Sequence, residues 1–361
     1  MKRLLYILFL CWASLNVSAQ EDSISTKIEK QHFYEHGIVG KLYNFVKTFS
    51  QIDTNYIEPQ RYNFTVMVQN TNTYEQYTFR SNEGTSVAFS PKPSLKIGPY
   101  FGWRFVFLGY TFDIKHINIK AKQELDLSLY TSQIGFDIYY RKTGNEYKIR
   151  QMYVEHKNEL KEMRDMSFDG LKGSIKGFNL YYILNHKKFS YPAAFSQSTI
   201  QRHSAGSPIV GIGYARQALD VDWNKLETMV KERCGDDAYA KMDSSLLSGK
   251  VYYHDTSIYG GYGYNWVFAK NWLFDASLSA GLSYKRTTGD MQHKRFTLRD
   301  FSFKNVNVDG TGRFAIVWND MRWYVGTSAI FHTYYYKKGP FSTNTTFGCV
   351  NIYVGFNFGR Q

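Results

Sequence analysis

Residues of chemistry-bearing type are few in this chain and widely spread. His32-Phe33-Tyr34-Glu35-His36 has the H-x-x-E-H spacing of inverted zincins, in which two histidines one helical turn apart hold zinc beside a glutamate. The pattern is short, has no evident third ligand and lies close to the start of the chain. A histidine pair on a polar leader is the simpler reading, and no metal ligand is assigned. A hydrolase built on serine and histidine needs both side chains on one face. His203 and Ser204 are neighbours, and neighbours in a strand point to opposite faces. Ser328 and His332 share a face, but four residues of strand hold them about 13 Å apart. His186, His254 and His293 have no partner at motif spacing. No glycine-rich loop follows a strand and opens a helix, so nucleotide chemistry is unsupported. Gly260-Gly261-Tyr262-Gly263 fits strand kinks or aromatic packing. No catalytic residue and no cofactor are expected.

The elements that would have to position any site alternate with period two, the mark of strands with one apolar and one polar face. From Asn271 to Lys285, Trp272, Phe274, Ala276, Leu278, Ala280, Leu282 and Tyr284 share a face opposite Asp275, Ser277, Ser279 and Ser283. Trp323, Val325 and Phe331, then Leu125, Leu127 and Leu129, then Phe178, Leu180, Tyr182 and Leu184 repeat the theme. A soluble sandwich also alternates. Strands of a dozen residues or more, against the usual five or six or so, favour a transmembrane barrel. So do aromatics crowding strand ends, at Tyr252, Tyr253, Tyr259, Tyr262, Tyr264, Trp266 and Tyr334-Tyr335-Tyr336, in the manner of interfacial girdles. The chain closes on Phe356-Asn357-Phe358, the terminal aromatic strand that barrel-assembly machinery reads in outer-membrane proteins.

Composition agrees. The 361 residues include 30 Tyr, 27 Phe and 7 Trp, and the mean hydropathy is −0.42. That is too polar for a helical membrane bundle and suits a barrel whose strands turn one face to a polar lumen. Three cysteines exclude a disulfide scaffold. Lys2 and Arg3, the apolar run Leu4–Leu15 and the small residues Val17-Ser18-Ala19 predict a signal peptide cleaved after Ala19. Cleavage lowers the net charge from +13 to +11 and leaves Cys234 and Cys349, whose pairing stays open. Residues 20–60 then form a periplasmic leader with a helix over Ile38–Phe49, and 61–361 form the barrel. An exported basic chain points to anionic lipid and lipopolysaccharide, not nucleic acid; Lys294, Arg295 and Arg299 suit such contacts.

Backbone pairing in hydrocarbon requires closure. The fold class is therefore all-β: a transmembrane antiparallel up-and-down barrel with an even strand number, about 12–14, and short loop helices. Counting back from the C-terminus, Asn319–Met321 and Ala269–Lys270 are tight, Lys337–Thr345 is moderate, and Arg286–Lys304 and Leu219–Lys250 are long and external. Asn185–Gly206 falls on the periplasmic side and Arg150–Gly173 outside. Helices are expected at Asp222–Cys234 and Met152–Met166 in the long loops.

The stretch Asn185-His186-Lys187-Lys188-Phe189-Ser190-Tyr191-Pro192-Ala193-Ala194-Phe195-Ser196-Gln197-Ser198 runs on through Gln201 to Ser204-Ala205-Gly206-Ser207. With Asp53-Thr54-Asn55-Tyr56-Ile57-Glu58-Pro59, Ser90-Pro91-Lys92-Pro93, Gly102-Trp103-Arg104, Gly261–Trp266 and Tyr353–Phe358, it resembles a Bacteroidetes outer-membrane barrel family catalogued as domain of unknown function 4421. The resemblance covers about residues 53 to 358 and implies an exported barrel, with no activity attached. The candidate site, within the lumen or on its periplasmic side, is Asn185, Lys188, Phe189, Ser190, Tyr191, Pro192, Gln197, Gln201 and Ser204. Pro192 lacks an N–H and interrupts a ladder there, so the segment can fold inwards and brace the lumen, or bind a ligand as a loop. Three roles follow: an envelope barrel with a braced lumen, a pore for a small or hydrophobic solute, and a lipid-modifying enzyme.

Overall fold

The computed structural model describes residues 51–91, 94–103, 106–109, 112–113, 123–142, 147–243, 251–287, 302–338 and 341–360. The expected signal peptide, the Ile38–Phe49 helix, the His32–His36 pattern, His293 and the loop cations Lys294, Arg295 and Arg299 lie outside them.

In chain order the strands are β1 (Ile57–Pro59), β2 (Tyr62–Ser81), β3 (Ser86–Pro91), β4 (Ser94–Trp103), β5 (Val106–Gly109), β6 (Phe112–Asp113), β7 (Gln123–Tyr130), β8 (Ile134–Lys142) and β9 (Tyr147–Val154). Then come β10 (Asn158–Glu159), β11 (Ser167–Phe168), β12 (Leu171–Ile183), β13 (Thr199–Gln201), β14 (Ala205–Val221) and β15 (Val251–Ala269). The last four are β16 (Trp272–Thr287), β17 (Val306–Asn319), β18 (Trp323–Lys338) and β19 (Phe341–Arg360). Three short helices are α1 (Tyr191–Phe195), α2 (Trp223–Cys234) and α3 (Asp236–Ala240).

Most of these strands form one large antiparallel meander. Its ladders run β7–β8–β12–β14–β15–β16–β17–β18–β19–β2, and β2 continues onto β3 and β4, with β4 pairing β5 and β6. The sheet curls until opposite walls touch. Arg313 of β17 bonds Asp137 of β8, and Gln217 Nε2 of β14 donates to Thr345 Oγ1 of β19 at 2.5 Å.

Alternation sorts side chains in the reverse of a soluble protein. On β15 and β16, Ile258, Leu278 and Leu282 are 72%, 64% and 67% exposed, while Asp255, Asp275 and Lys285 are at most 1% exposed. The apolar face points out and the charged face points in.

The two ends differ. Tight connections at 131–133, 270–271 and 320–322 share one end with Tyr62 and its ladder partner Arg360. At the other end, β9 to β11, α2 and α3 fold over the mouth, and an apolar core forms there around Phe79, Phe89, Phe168, Trp223, Leu226 and Val230. Asp222 caps α2 by accepting from Lys225 N at 3.1 Å, so the helix expected at Asp222–Cys234 is present.

Two expectations change. Met152–Met166 is not a helix: Met152 pairs with Val87 in the β9–β3 ladder, Glu155 and His156 take positive φ, and only Lys161–Met163 forms a single 3-10 turn. Side-chain composition favoured helix there, and the tertiary pairing of β9 overrode it. The aromatic clusters also divide. Tyr262, Tyr264 and Trp266 face outwards, but Tyr253, Tyr334 and Tyr336 are buried inside, with Tyr253 stacked on Tyr336 at 4.6 Å. Successive strand residues change face, so a run of tyrosines cannot all serve one girdle.

Candidate functional site

The connection between β12 and β14 does not stay outside the sheet. It turns in against the inward face of the curled sheet and fills the end that carries the tight turns. Ser190 starts α1: its side chain accepts from Ala193 N at 3.3 Å and bonds the Thr199 hydroxyl at 2.8 Å. Pro192 sits in the first helical turn, where its missing N–H costs nothing. Ala193 and Ala194 pack against Leu273, Ala315, Val317, Tyr324 and Tyr353 of the wall.

The remaining candidate residues hold this plug to the wall. Asn185 Nδ2 donates to Gly206 O at 2.8 Å and its backbone N to Ser207 Oγ at 2.9 Å. Gln201 Oε1 accepts from Ser190 N at 3.1 Å and from Asn265 Nδ2 at 3.0 Å, while its Nε2 reaches Lys188 O at 2.6 Å. Gln197 Nε2 donates to Tyr353 Oη at 2.7 Å, and Ser204 Oγ accepts from Val267 N at 2.9 Å. Phe189 is fully buried edge-on to Tyr191 at 5.0 Å, and Phe195 stacks on Tyr130 at 5.7 Å. Gly263 makes room for Phe189, since a Cβ there would stand 2.9 Å from Phe189 Cζ.

The Asp53–Pro59 motif, more than a hundred residues away in sequence, straps the plug from below. β1 pairs with β13 through Ile57 and Gln201, Glu58 and Ile200, and Pro59 and Thr199. Asp53 N donates to Lys187 O at 2.8 Å, Lys188 Nζ lies 4.8 Å from the Tyr56 ring centre, and His203 Nδ1 meets Asn55 O at 2.7 Å. Arg202 Nε donates to Glu58 Oε2 at 2.6 Å, and Arg61 Nη2 to Glu58 Oε1 at 2.5 Å. Burial pushes the Glu58 carboxyl up, but the hydrogen bond and charge of Arg202, then those of Arg61, outweigh it and hold it below its ordinary value.

Above the plug, the interior of the curled sheet holds buried charges that motif reading did not single out. Lys285 Nζ donates to Asp309 Oδ1 at 2.6 Å and to Tyr335 O at 2.9 Å, with Asp255 Oδ2 at 3.2 Å. Arg141 Nη2 bonds Asp126 Oδ2 at 2.6 Å and lies over Phe347 at 4.9 Å. Arg313 bonds Asp137 and lies over Tyr181 at 4.7 Å and over Tyr191 of the plug at 5.9 Å. The hydroxyls of Tyr139 and Tyr334 bond across the lumen. The signal was available: each charge occupies the polar phase of an alternating strand. The partner was not always so: Lys285 and Arg141 meet acids on neighbouring strands, but Asp137 stands on a strand that shares no ladder with that of Arg313.

The arrangement resembles a filled core more than a reaction centre. His332 is buried between the rings of Tyr139 and Phe347, each 5.3 Å away, with Thr311 Oγ1 at 3.2 Å from its Nδ1. Among the described residues no three His, Cys, Asp or Glu side chains cluster as a metal site. Cys234 and Cys349 are not joined by a disulfide.

Strap, plug and meander fall within one matched region: residues 51–358 match the family described as Domain of unknown function (DUF4421). The chain belongs to this family. Among solved structures it is similar to the outer-membrane protease OmpT of Escherichia coli, at 6% identity and a TM-score of 0.31, covering 82% of this chain and 97% of that one. It is also similar to the toluene transporter TodX of P. putida, at 7% identity and a TM-score of 0.25, covering 83% and 91%. The outer-membrane protein OprG of Pseudomonas aeruginosa aligns at 9% identity and a TM-score of 0.21, covering 83% and 98%. No curated protein sequence matches it.

Proposed function

We propose that the chain is an integral outer-membrane β-barrel of a Gram-negative bacterium, exported by a signal peptide cleaved after Ala19, with a closed, internally braced lumen and a structural role in the envelope. One observation carries this reading: the apolar face of the meander is turned out while Asp255, Asp275, Lys285 and Arg313 are enclosed. In water that arrangement exposes a continuous greasy wall; in lipid it satisfies both faces. The long antiparallel meander supports a ring. With β3 and β4 taken as one bent strand, and β5 and β6 as another, the wall has twelve strands among the described residues, an even number.

Filling at both ends supports a brace over a pore. The plug with its strap occupies one mouth, the apolar core around Trp223 the other, and paired charges the space between. Purified mature protein is reconstituted in planar bilayers and run unheated and heated on a denaturing gel. The expected result is heat-modifiable mobility without a solute-dependent current. A steady ohmic conductance overturns the brace, and a chain that stays dissolved without detergent overturns the barrel.

A further inference from the structure

On the outward face of the wall a row of basic residues, three of them lysine or arginine, borders the apolar band. Across four adjacent strands in register, Lys176 of β12 stands opposite Arg216 of β14, Arg216 opposite His254 of β15, and His254 opposite Arg286 of β16. At about 4.8 Å between strands the row spans about 14 Å. Tyrosines frame it: the Arg216 guanidinium lies 4.8 Å from the Tyr252 ring centre, and the Tyr214 hydroxyl shares a 2.6 Å hydrogen bond with His254 Nδ1. Asp255 faces inwards beside Lys285, and Asp220 stands further out, opposite Lys172.

On the same strands, towards the tight-turn end, lies an apolar groove of about 730 Å³. Its floor is the paired Gly260 and Ala280, and one flank is the next row, Ile212, Ile258, Leu282 and Val308, each opposite the next. The floor is open to the outside, because a Cβ on Gly260 would meet only the Ile209 carbonyl at 3.9 Å. Leu282 and Ala280 precede Arg286 by four and six residues, about 14–20 Å along a strand tilted by about 40°. Measured along the bilayer normal, that is close to one leaflet of a hydrocarbon core about 30 Å thick.

We propose that this wall binds an outer-leaflet glycolipid of the lipid A type, with phosphates on Lys176, Arg216 and Arg286 and one acyl chain along the Gly260–Ala280 groove. The charge is complementary to phosphate, and a row this wide suits a headgroup with more than one phosphate better than a single-phosphate phospholipid. The proposal rests on the outer-membrane reading above, with the long connections on the external side.

The mature chain in detergent micelles is mixed with lipid A, or separately with phosphatidylglycerol, and bound lipid is counted by native mass spectrometry. The wild type retains lipid A in preference to phosphatidylglycerol. Combined Lys176→Gln, Arg216→Gln and Arg286→Gln lowers lipid A occupancy by about tenfold or more. Gly260→Leu, which fills the floor from the open side, lowers it severalfold. Equal retention of lipid A by both variants, or equal binding of phosphatidylglycerol by the wild type, overturns the site. Heat-modifiable mobility is read on every sample. Its loss in the wild type is a failure of the barrel reading, whereas its retention alongside unchanged lipid binding is a failure of this site alone.

Discussion

Arg313 of β17 and Asp137 of β8 form an ion pair across the interior, joining strands that lie five ladders apart along the sheet. Both are almost fully buried, and Ser128 Oγ adds a 2.7 Å hydrogen bond to Asp137 Oδ1. Two walls that are remote along the hydrogen-bonded sheet are thereby held at one separation, with Tyr181 of β12 and Tyr191 of the plug against the guanidinium.

Removing one partner strands the other without water. Arg313→Met is expected to lower unfolding free energy in detergent by about 3–5 kcal/mol, and Asp137→Asn by a similar amount. The double change Arg313→Met with Asp137→Leu should recover much of that loss. Denaturant unfolding followed by tryptophan fluorescence makes the comparison, and a double variant no better than the singles would remove the pair from this role.

Gly263 and Gly260 lie on the same strand three residues apart and face opposite ways. A Cβ on Gly263 would stand 2.5 Å from Ser277 Oγ and 2.9 Å from Phe189 Cζ, so Gly263→Val is expected to cost about 1–3 kcal/mol and loosen the plug. Gly260→Ala, outward and open, should change stability by less than about 0.5 kcal/mol. Thermal unfolding of the two variants side by side checks the assignment of faces.

The strap should be pH-sensitive through Glu58. Its carboxyl is held below its ordinary value of 4.5 in the folded chain despite partial burial, by Arg202 first and Arg61 second. A depressed folded value means the contribution is complete above the unfolded value and disappears as pH falls through the folded one. Amide exchange across residues 55–60, corrected for intrinsic rate, should accelerate on acidification past 4.5 in the wild type. In Glu58→Gln it should be fast on both sides.

Ser190 caps α1 and bonds Thr199 within the plug. Ser190→Ala is expected to cost about 1–2 kcal/mol, and Ser190→Thr, which keeps the hydroxyl, to restore most of it. Identical melting of all three proteins would show that the cap contributes nothing.

Much of the wall is written locally. Trp272 to Tyr284 state which face is apolar, Asn319–Met321 and Ala269–Lys270 state where the chain turns, and Asp222 followed by the spacing of Trp223, Leu226 and Val230 states a capped helix. The Asp53–Pro59 and Asn185–Ser207 motifs were visible as motifs. That β1 pairs with β13 was not, because nothing within either motif names the other. Met152–Met166 reads as helix by composition, and only its pairing with β3 makes it strand.

Alternation with period two is a nearest-neighbour property, so the amino-acid order alone determined the long alternating strands such as β16, their two faces and the polarity of each face. That Arg313 meets Asp137, whether Tyr253 belongs to a girdle or stacks on Tyr336, and that Phe189 enters beside Gly263 depend on how far the sheet curls. Curl brings together residues from strands that share no ladder, and their separation along the chain carries no record of that meeting. Tertiary structure alone decided them.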